Sequence, residues 1–172
     1  MDNLENRPSC DATEDAIIHY DSRVADRDFC KEIFDKKFGK QAEKPNEQAI
    51  RSVEEALNIR FGEEFSWILH DYGKLYLYYF DMLGIYNDAP VKSALPKQTQ
   101  RFRKRTQKLN DYFVFAVPND AFAACCDQYD RVALYSIWDD RVISLNLNVA
   151  AYIAGEGLLA EQWFTVDRKN ED

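Results

Sequence analysis

Glycine is scarce, with six in 172 residues, and neither G-x-x-x-x-G-K nor G-x-G-x-x-G occurs. Both patterns need glycine so that backbone amides can wrap a phosphate, and nucleotide enzymes of those classes are excluded. Histidine is scarcer still, at two. None of the four cysteines, Cys10, Cys30, Cys125 and Cys126, forms a C-x-x-C pair, and both histidines lie far from them in sequence. That spacing does not suit zinc, so no metal and no other cofactor is expected. Cys125 and Cys126 are neighbours, a poor geometry for a mutual disulfide, and the reading is four reduced thiols acting mostly as small core fillers. No apolar run approaches the ~18 residues that a membrane-spanning helix needs. The segment Met1 to Pro8 is polar and no apolar stretch follows it. A secretory signal is therefore not expected, and a cytoplasmic location is.

What is present suits a core. Hydrophobic residues make up 46% and aromatics 14% of the chain, too much for wholesale disorder. A chain of this length fits one domain and can bury about two-thirds of its unfolded surface without a staple. The net charge is −8. It argues against general binding to nucleic acid or to an anionic membrane, and permits a basic protein partner.

Residues 1–45 read as a polar, partly helical extension, 46–165 as the main domain and 166–172 as a polar tail. A helix is expected from about Asp26 to Gly39, with Phe29, Ile33, Phe34 and Phe38 at helical spacing. A second starts at Asn46 and carries Ile50, Val53, Ala56 and Leu57. A third holds Phe65, Ile68, Leu69 and Tyr72 on one face and closes at Gly73. Leu75 to Phe80 has high β-propensity, and Met82 to Tyr86 is a second short strand. Ser93 to Asn110 reads as a helix with Pro96 in its first turn. Strands follow over Tyr112 to Val117 and Arg131 to Trp138. Asp139-Asp140 makes a turn, and Val142 to Asn148 alternates with Ile143, Leu145 and Leu147 on one side. Val149 to Ala154 reads as a short helix ended by Gly155. This order predicts an α+β fold, a mainly antiparallel twisted sheet with helices on one side of it.

From about Gln48 to Gly155 the chain resembles the SUKH superfamily, which includes the Smi/Knr cell-wall regulators and many bacterial immunity proteins. Glu54 or Glu55, Leu57, Phe65, Trp67, Leu69 and Tyr72-Gly73 are similar to the family's opening helices. Val132 to Trp138, Asp139-Asp140, Val142 to Leu147 and Ala151-Tyr152-Ile153 are similar to its strand pair and closing helix. Phe61-Gly62 stands where the family has a proline. Asn119 to Ala124 stands where it has a glycine-rich turn, and residues 1–45 have no counterpart. The resemblance implies a mixed sheet with flanking helices and a non-catalytic role, commonly immunity to a toxin. It carries over no catalytic residues.

Few side chains suggest chemistry. His70-Asp71 is the one histidine–acid neighbour pair, but adjacent helical residues do not face each other. Its plainer reading is a histidine favoured by the helix C-terminus. Cys125-Cys126 has Asp127 beside it and no base near it, which raises rather than lowers a thiol pKa. Residues 92–108 hold seven basic side chains and no acid, including Arg101, Arg103, Lys104 and Arg105, so the remainder of the chain stands at −15. Leu95, Phe102 and Leu109 recur every seven residues as a narrow seam. The segment is either a solvated helix on an acidic body or a contact patch. Asp120, Asp127, Asp130, Asp139 and Asp140 fall on strand ends and turns. They either make local turn hydrogen bonds or form an acidic surface for a basic toxin, with Trp138 or the Tyr76, Tyr78 and Tyr79 group as aromatic anchors. The expected partner is a cognate toxin domain or other protein, not a membrane or nucleic acid. The alternatives are a regulatory scaffold of the Smi/Knr kind or, third, an enzyme.

Overall fold

The computed structural model describes residues 26–37, 43–76 and 81–156. Helix α1 is Arg27–Lys37. The Asp26 carboxylate accepts from the Asp28 amide at 3.0 Å and so caps it. Cys30, Ile33 and Phe34 are buried in the main core. Phe38 and Gly39, expected to end this helix, lie outside the described residues.

Helix α2 is Glu47–Leu57, with Asn46 accepting from the Ala49 amide and Asn58 closing it at φ +50°. Its buried residues are Ala49, Ile50, Val53, Glu54 and Leu57. Ala56, expected in the stripe, is exposed. Glu54 takes the inward edge because the chain that follows needs an acceptor there. Its carboxylate accepts from the Phe61 amide at 2.9 Å and from Arg60 at 2.8 Å.

Helix α3 is Glu63–Tyr72, and its Phe65, Ile68, Leu69 and Tyr72 are buried as the periodicity predicts. It ends at Gly73, whose φ is +72° and where a Cβ would lie 2.4 Å from the Glu43 carbonyl oxygen. Only glycine meets both demands.

Of the two short strands expected next, most of Leu75 to Phe80 lies outside the described residues, and Met82 to Tyr86 is not a strand. Tyr76 bridges Asp81 and Met82 bridges Ala116. The Leu83 amide donates to Phe115, and then the Gly84 carbonyl is taken by Leu95 and the Tyr86 amide by the Ser93 hydroxyl. Those partners lie off the sheet, so pairing stops after one bridge.

Helix α4 is Ala94–Arg105, preceded by a 3-10 turn at Pro90–Lys92. Pro96 sits in its first turn, as expected. The helix does not run on to Asn110. Thr106 is extended, and its hydroxyl accepts from Lys108 to start a separate 3-10 turn, Gln107–Leu109.

The sheet is an antiparallel meander in the order β1-β2-β3-β4. Its strands are β1 (Tyr112–Ala116), β2 (Phe122–Asp127), β3 (Arg131–Ser136) and β4 (Arg141–Asn148). Strand β2 was not expected. Ala123, Ala124, Cys125 and Cys126 have little β-propensity, and all four are buried between two covered faces, so no alternation marks them. The third strand ends at Ser136 rather than Trp138, because 137–140 form the turn. Strand β4 bulges: Ala133 opposes Ser144 and Arg131 opposes Asn148, with Asn146 at φ +54°.

Helices do not lie on one side only. Phe113, Phe115, Ala124, Cys126, Val132, Leu134 and Leu145 share the main core with α1, α2 and α3. Val114, Ala123, Cys125 and Tyr135 pack with Phe102 and Leu109. The α4 segment thus closes the second face. It also covers the free edge of β1, where the Thr99 hydroxyl accepts from the Val114 amide at 2.9 Å. The predicted seam is real: Leu95, Phe102 and Leu109 are all buried.

Residues 149–156 form the last helix among the described residues, α5. Asn148 caps it by accepting from the Ala151 amide at 2.8 Å. Gly155 lies inside it rather than ending it, because helical hydrogen bonding continues to Glu156. The expected tail at 166–172 lies outside the described residues. Among the described residues no helix is long and apolar enough to cross a membrane.

Candidate functional site

The meander sorts the candidate residues into two opposite ends of the sheet. The β1–β2 and β3–β4 turns share one end, and the β2–β3 turn is at the other. At the first end lie Asp120, Trp138, Asp139 and Asp140; at the second lie Asp127 and Asp130. They are therefore not one acidic surface.

At the first end, Trp138 is 78% exposed. The Ser136 hydroxyl donates to Asp139 at 3.0 Å and the Tyr135 hydroxyl to Asp140 at 2.9 Å. The basic segment reaches this turn. Arg105 donates to the Ile137 carbonyl at 2.9 Å, and Lys108 pairs with Asp140 at 2.9 Å. Hydrogen bonds from Lys108, Tyr135 and Thr106 hold the Asp140 carboxyl below its ordinary range. Asp120 is exposed beside Asn119, whose side chain accepts from the Ala121 and Phe122 amides.

The rest of the basic segment divides. Arg103 is half-buried and donates to the carbonyls of Leu57 at 2.5 Å, Leu109 at 3.1 Å and Tyr112 at 2.8 Å. It ties α2, α4 and β1 together, and burial lowers its pKa. Arg101 and Lys104 are exposed.

At the second end both aspartates are buried and used internally. Asp127 accepts from the Tyr129 and Arg131 amides and from the Arg131 guanidinium at 2.7 Å. Asp130, at φ +62°, accepts from the Glu64 and Phe65 amides at 2.9 Å each. Gly62 cannot cap α3 with a side chain, so a turn 66 residues away in sequence caps it instead. Burial raises the Asp130 pKa, and the two backbone donors only partly counter it.

The remaining candidates are separated. His70 is exposed in the last turn of α3. Asp71 accepts from the Trp67 indole at 2.7 Å. Tyr76 lies under the Lys74 ammonium at 4.3 Å, while Tyr78 and Tyr79 lie outside the described residues, as does Cys10. No three His, Cys, Asp or Glu side chains among the described residues come together as metal ligands would.

Cys30, Cys125 and Cys126 are buried thiols. Burial pushes Cys30 up to about 11 and Cys125 up to about 12, and burial with Asp130 and Asp127 near raises Cys126 well above the ordinary thiol range. The thiolate is the nucleophile. All three should therefore resist iodoacetamide at pH 8 in the folded protein and react on unfolding in denaturant. Mass spectrometry locates the adducts; rapid native labelling at Cys125 or Cys126 would contradict this packing.

Sequence reading missed a groove at the second end. Two adjoining clefts, of about 250 and about 370 Å³, share Asn58, Ile59 and Gln128. The first adds Glu54, Glu55 and Arg60, and the second adds Asp111, Asp127, Tyr129 and Arg131. No local motif links these segments; the end of α2 and the β2–β3 turn meet only through the fold.

A comparison with curated proteins gave no match. A family model, SUKH_5, described as SMI1-KNR4 cell-wall, matches residues 25–149, from α1 to the end of β4. At the level of the family this supports a non-catalytic, protein-binding or immunity-type module. With most of its length inside that match and an α+β fold to suit, the chain belongs to the SMI1-KNR4 family.

Proposed function

We propose that this chain is an immunity-type protein that neutralises a bacterial toxin domain in the cytoplasm by stoichiometric, non-covalent binding. The observation that carries the reading is Trp138, 78% exposed at the tip of the β3–β4 turn. An aromatic ring of that size held in water favours burial against a partner, and tryptophans dominate binding energy when buried at an interface. Asp120, Asp139 and Asp140 around it, with Arg105 behind the turn, supply a polar rim of mixed charge. Arg101 and Lys104 extend that rim along α4. Arg103, Asp127 and Asp130 support the fold from within, and their part in binding is to hold the surface in shape.

The test first looks for a toxin domain encoded beside this chain and then titrates it calorimetrically; a neighbourhood without one counts against the immunity reading. Trp138→Ala should weaken the complex by about 2 kcal/mol or more, roughly thirtyfold. Its melting temperature should stay near that of the parent, since the ring contributes little to the core. Unchanged affinity would remove Trp138 from the interface, and no one-to-one complex would remove the immunity reading.

The family description, cell-wall, supports a second reading: a regulatory scaffold that binds several proteins of its own cell. Comparable affinity for several partners would favour the scaffold, and one nanomolar partner would favour immunity.

A further inference from the structure

The groove between the end of α2 and the β2–β3 turn is lined by four carboxylates, Glu54, Glu55, Asp111 and Asp127, and two guanidiniums. Both cations are already matched. Arg60 pairs with Glu54 at 2.8 Å and Arg131 with Asp127 at 2.7 Å. Glu55 and Asp111 are exposed, and Asp111 is only partly offset, by the charge of the half-buried Arg103 nearby. Tyr129 is 67% exposed at the rim, and the Arg131 guanidinium stands 5.1 Å from its ring centre. The chain's own Arg131 thus displays a mode of recognition: one carboxylate along the guanidinium edge, one tyrosine ring on its face. The larger cleft offers the same elements again, the exposed Tyr129 ring and the exposed Asp111 carboxylate, with Glu55 in the adjoining cleft. The larger cleft falls in the size range of side-chain and small-ligand pockets.

We infer that the larger cleft receives an arginine side chain from a protein partner, stacked on Tyr129 and paired with Asp111, with Glu55 in the adjoining cleft adding negative potential. Arginine fits better than lysine because a planar guanidinium both stacks and forks to a carboxylate, which a compact ammonium does not. The net charge of −8 steers a basic partner toward the protein at long range. The inference rests on the protein-binding reading, but it uses the end of the sheet opposite Trp138.

The probe is the peptide N-acetyl-Gly-Arg-Gly-amide, with lysine and citrulline versions, titrated against the full chain and followed by amide chemical shifts. The arginine peptide should move Asn58, Gln128 and Tyr129 saturably in the millimolar range. Lysine should bind more weakly, and uncharged citrulline should leave these amides in place. Glu55→Gln with Asp111→Asn should weaken the response roughly fivefold, as one exposed ion pair and a neighbouring negative charge are removed. Trp138→Ala should leave it unchanged. Silent amides at 128–129, an equal response to citrulline, or no effect of the double substitution would overturn the assignment. Toxin binding that persists while the groove stays silent would overturn the groove alone. A normal peptide response without toxin binding would overturn the toxin reading alone.

Discussion

Phe65→Ala should lower the free energy of unfolding by about 3–5 kcal/mol, the largest effect expected of any single truncation in this chain. Phe65 has no exposed surface. Its ring centre lies 5.1 Å from Phe61, 4.6 Å from Phe113 and 6.3 Å from Phe115. Phe61 and Phe113 also touch each other, at 4.7 Å. Truncation would remove the transfer free energy of a benzyl group and the tilted ring contacts together, and leave a cavity between α3 and β1. Since domains of this kind are stable by only about 5–15 kcal/mol, the variant should be barely folded at body temperature. Phe65→Leu keeps most of the volume and should cost less than half as much. Urea denaturation reads both. A loss under about 1 kcal/mol in the alanine variant would mean that the cavity collapses freely and that this cluster is not the centre of the core.

The second large effect is a coupling. At Gly62 an added Cβ would lie 2.3 Å from the carboxyl carbon of Asp130 and as close to its oxygens. Gly62→Ala must displace that side chain, and with it the two hydrogen bonds that start α3. The cost should be about 2–4 kcal/mol, combining overpacking with the loss of a cap. Asp130→Gly removes the cap alone and suits the φ of +62°, so it should cost about 1–2 kcal/mol. The double variant has no carboxylate to displace. It should be close to Asp130→Gly in stability, so the coupling should nearly equal the cost of Gly62→Ala alone, about 2–4 kcal/mol. Additive costs would mean that Gly62 is confined by something other than Asp130.

Helices were the easier part to read, because their signals are local. Asn46, Gly73 and Pro96 act where they stand, and the stripe of α3 is buried as written. The α2 stripe failed at Ala56 because Glu54 answers a demand made by the Phe61 amide, which the stripe does not contain. The sheet was legible in proportion to its exposure. Strand β4 alternates because one side of it meets water, and it was found. Strand β2 is buried on both sides, so its small residues carry no period and nothing local marks it as a strand. The strand expected over Met82 to Tyr86 had propensity, but beyond the bridge to Ala116 its backbone partners lie off the sheet, and pairing follows partners.

The candidate site shows the same division. Turn aspartates could be located in sequence, but not their tasks. Asp130 caps a helix from far along the chain, Asp140 pairs with Lys108, and Asp120 stays in water. Arg103 looked like part of a basic face, yet its donors are taken by three carbonyls.

Composition and spacing by themselves determined that the chain has enough apolar material for a core, that phosphate-loop motifs are missing, and where most of the helices start and stop. All of these depend on residue type and on neighbours within a few positions. The tertiary structure decided which charges are spent inside the fold, which end of the sheet each turn occupies, and that Trp138 and the Tyr129 groove face opposite ways. Those outcomes depend on distances between residues remote in sequence, and such distances are set only when the strands pair and the core closes.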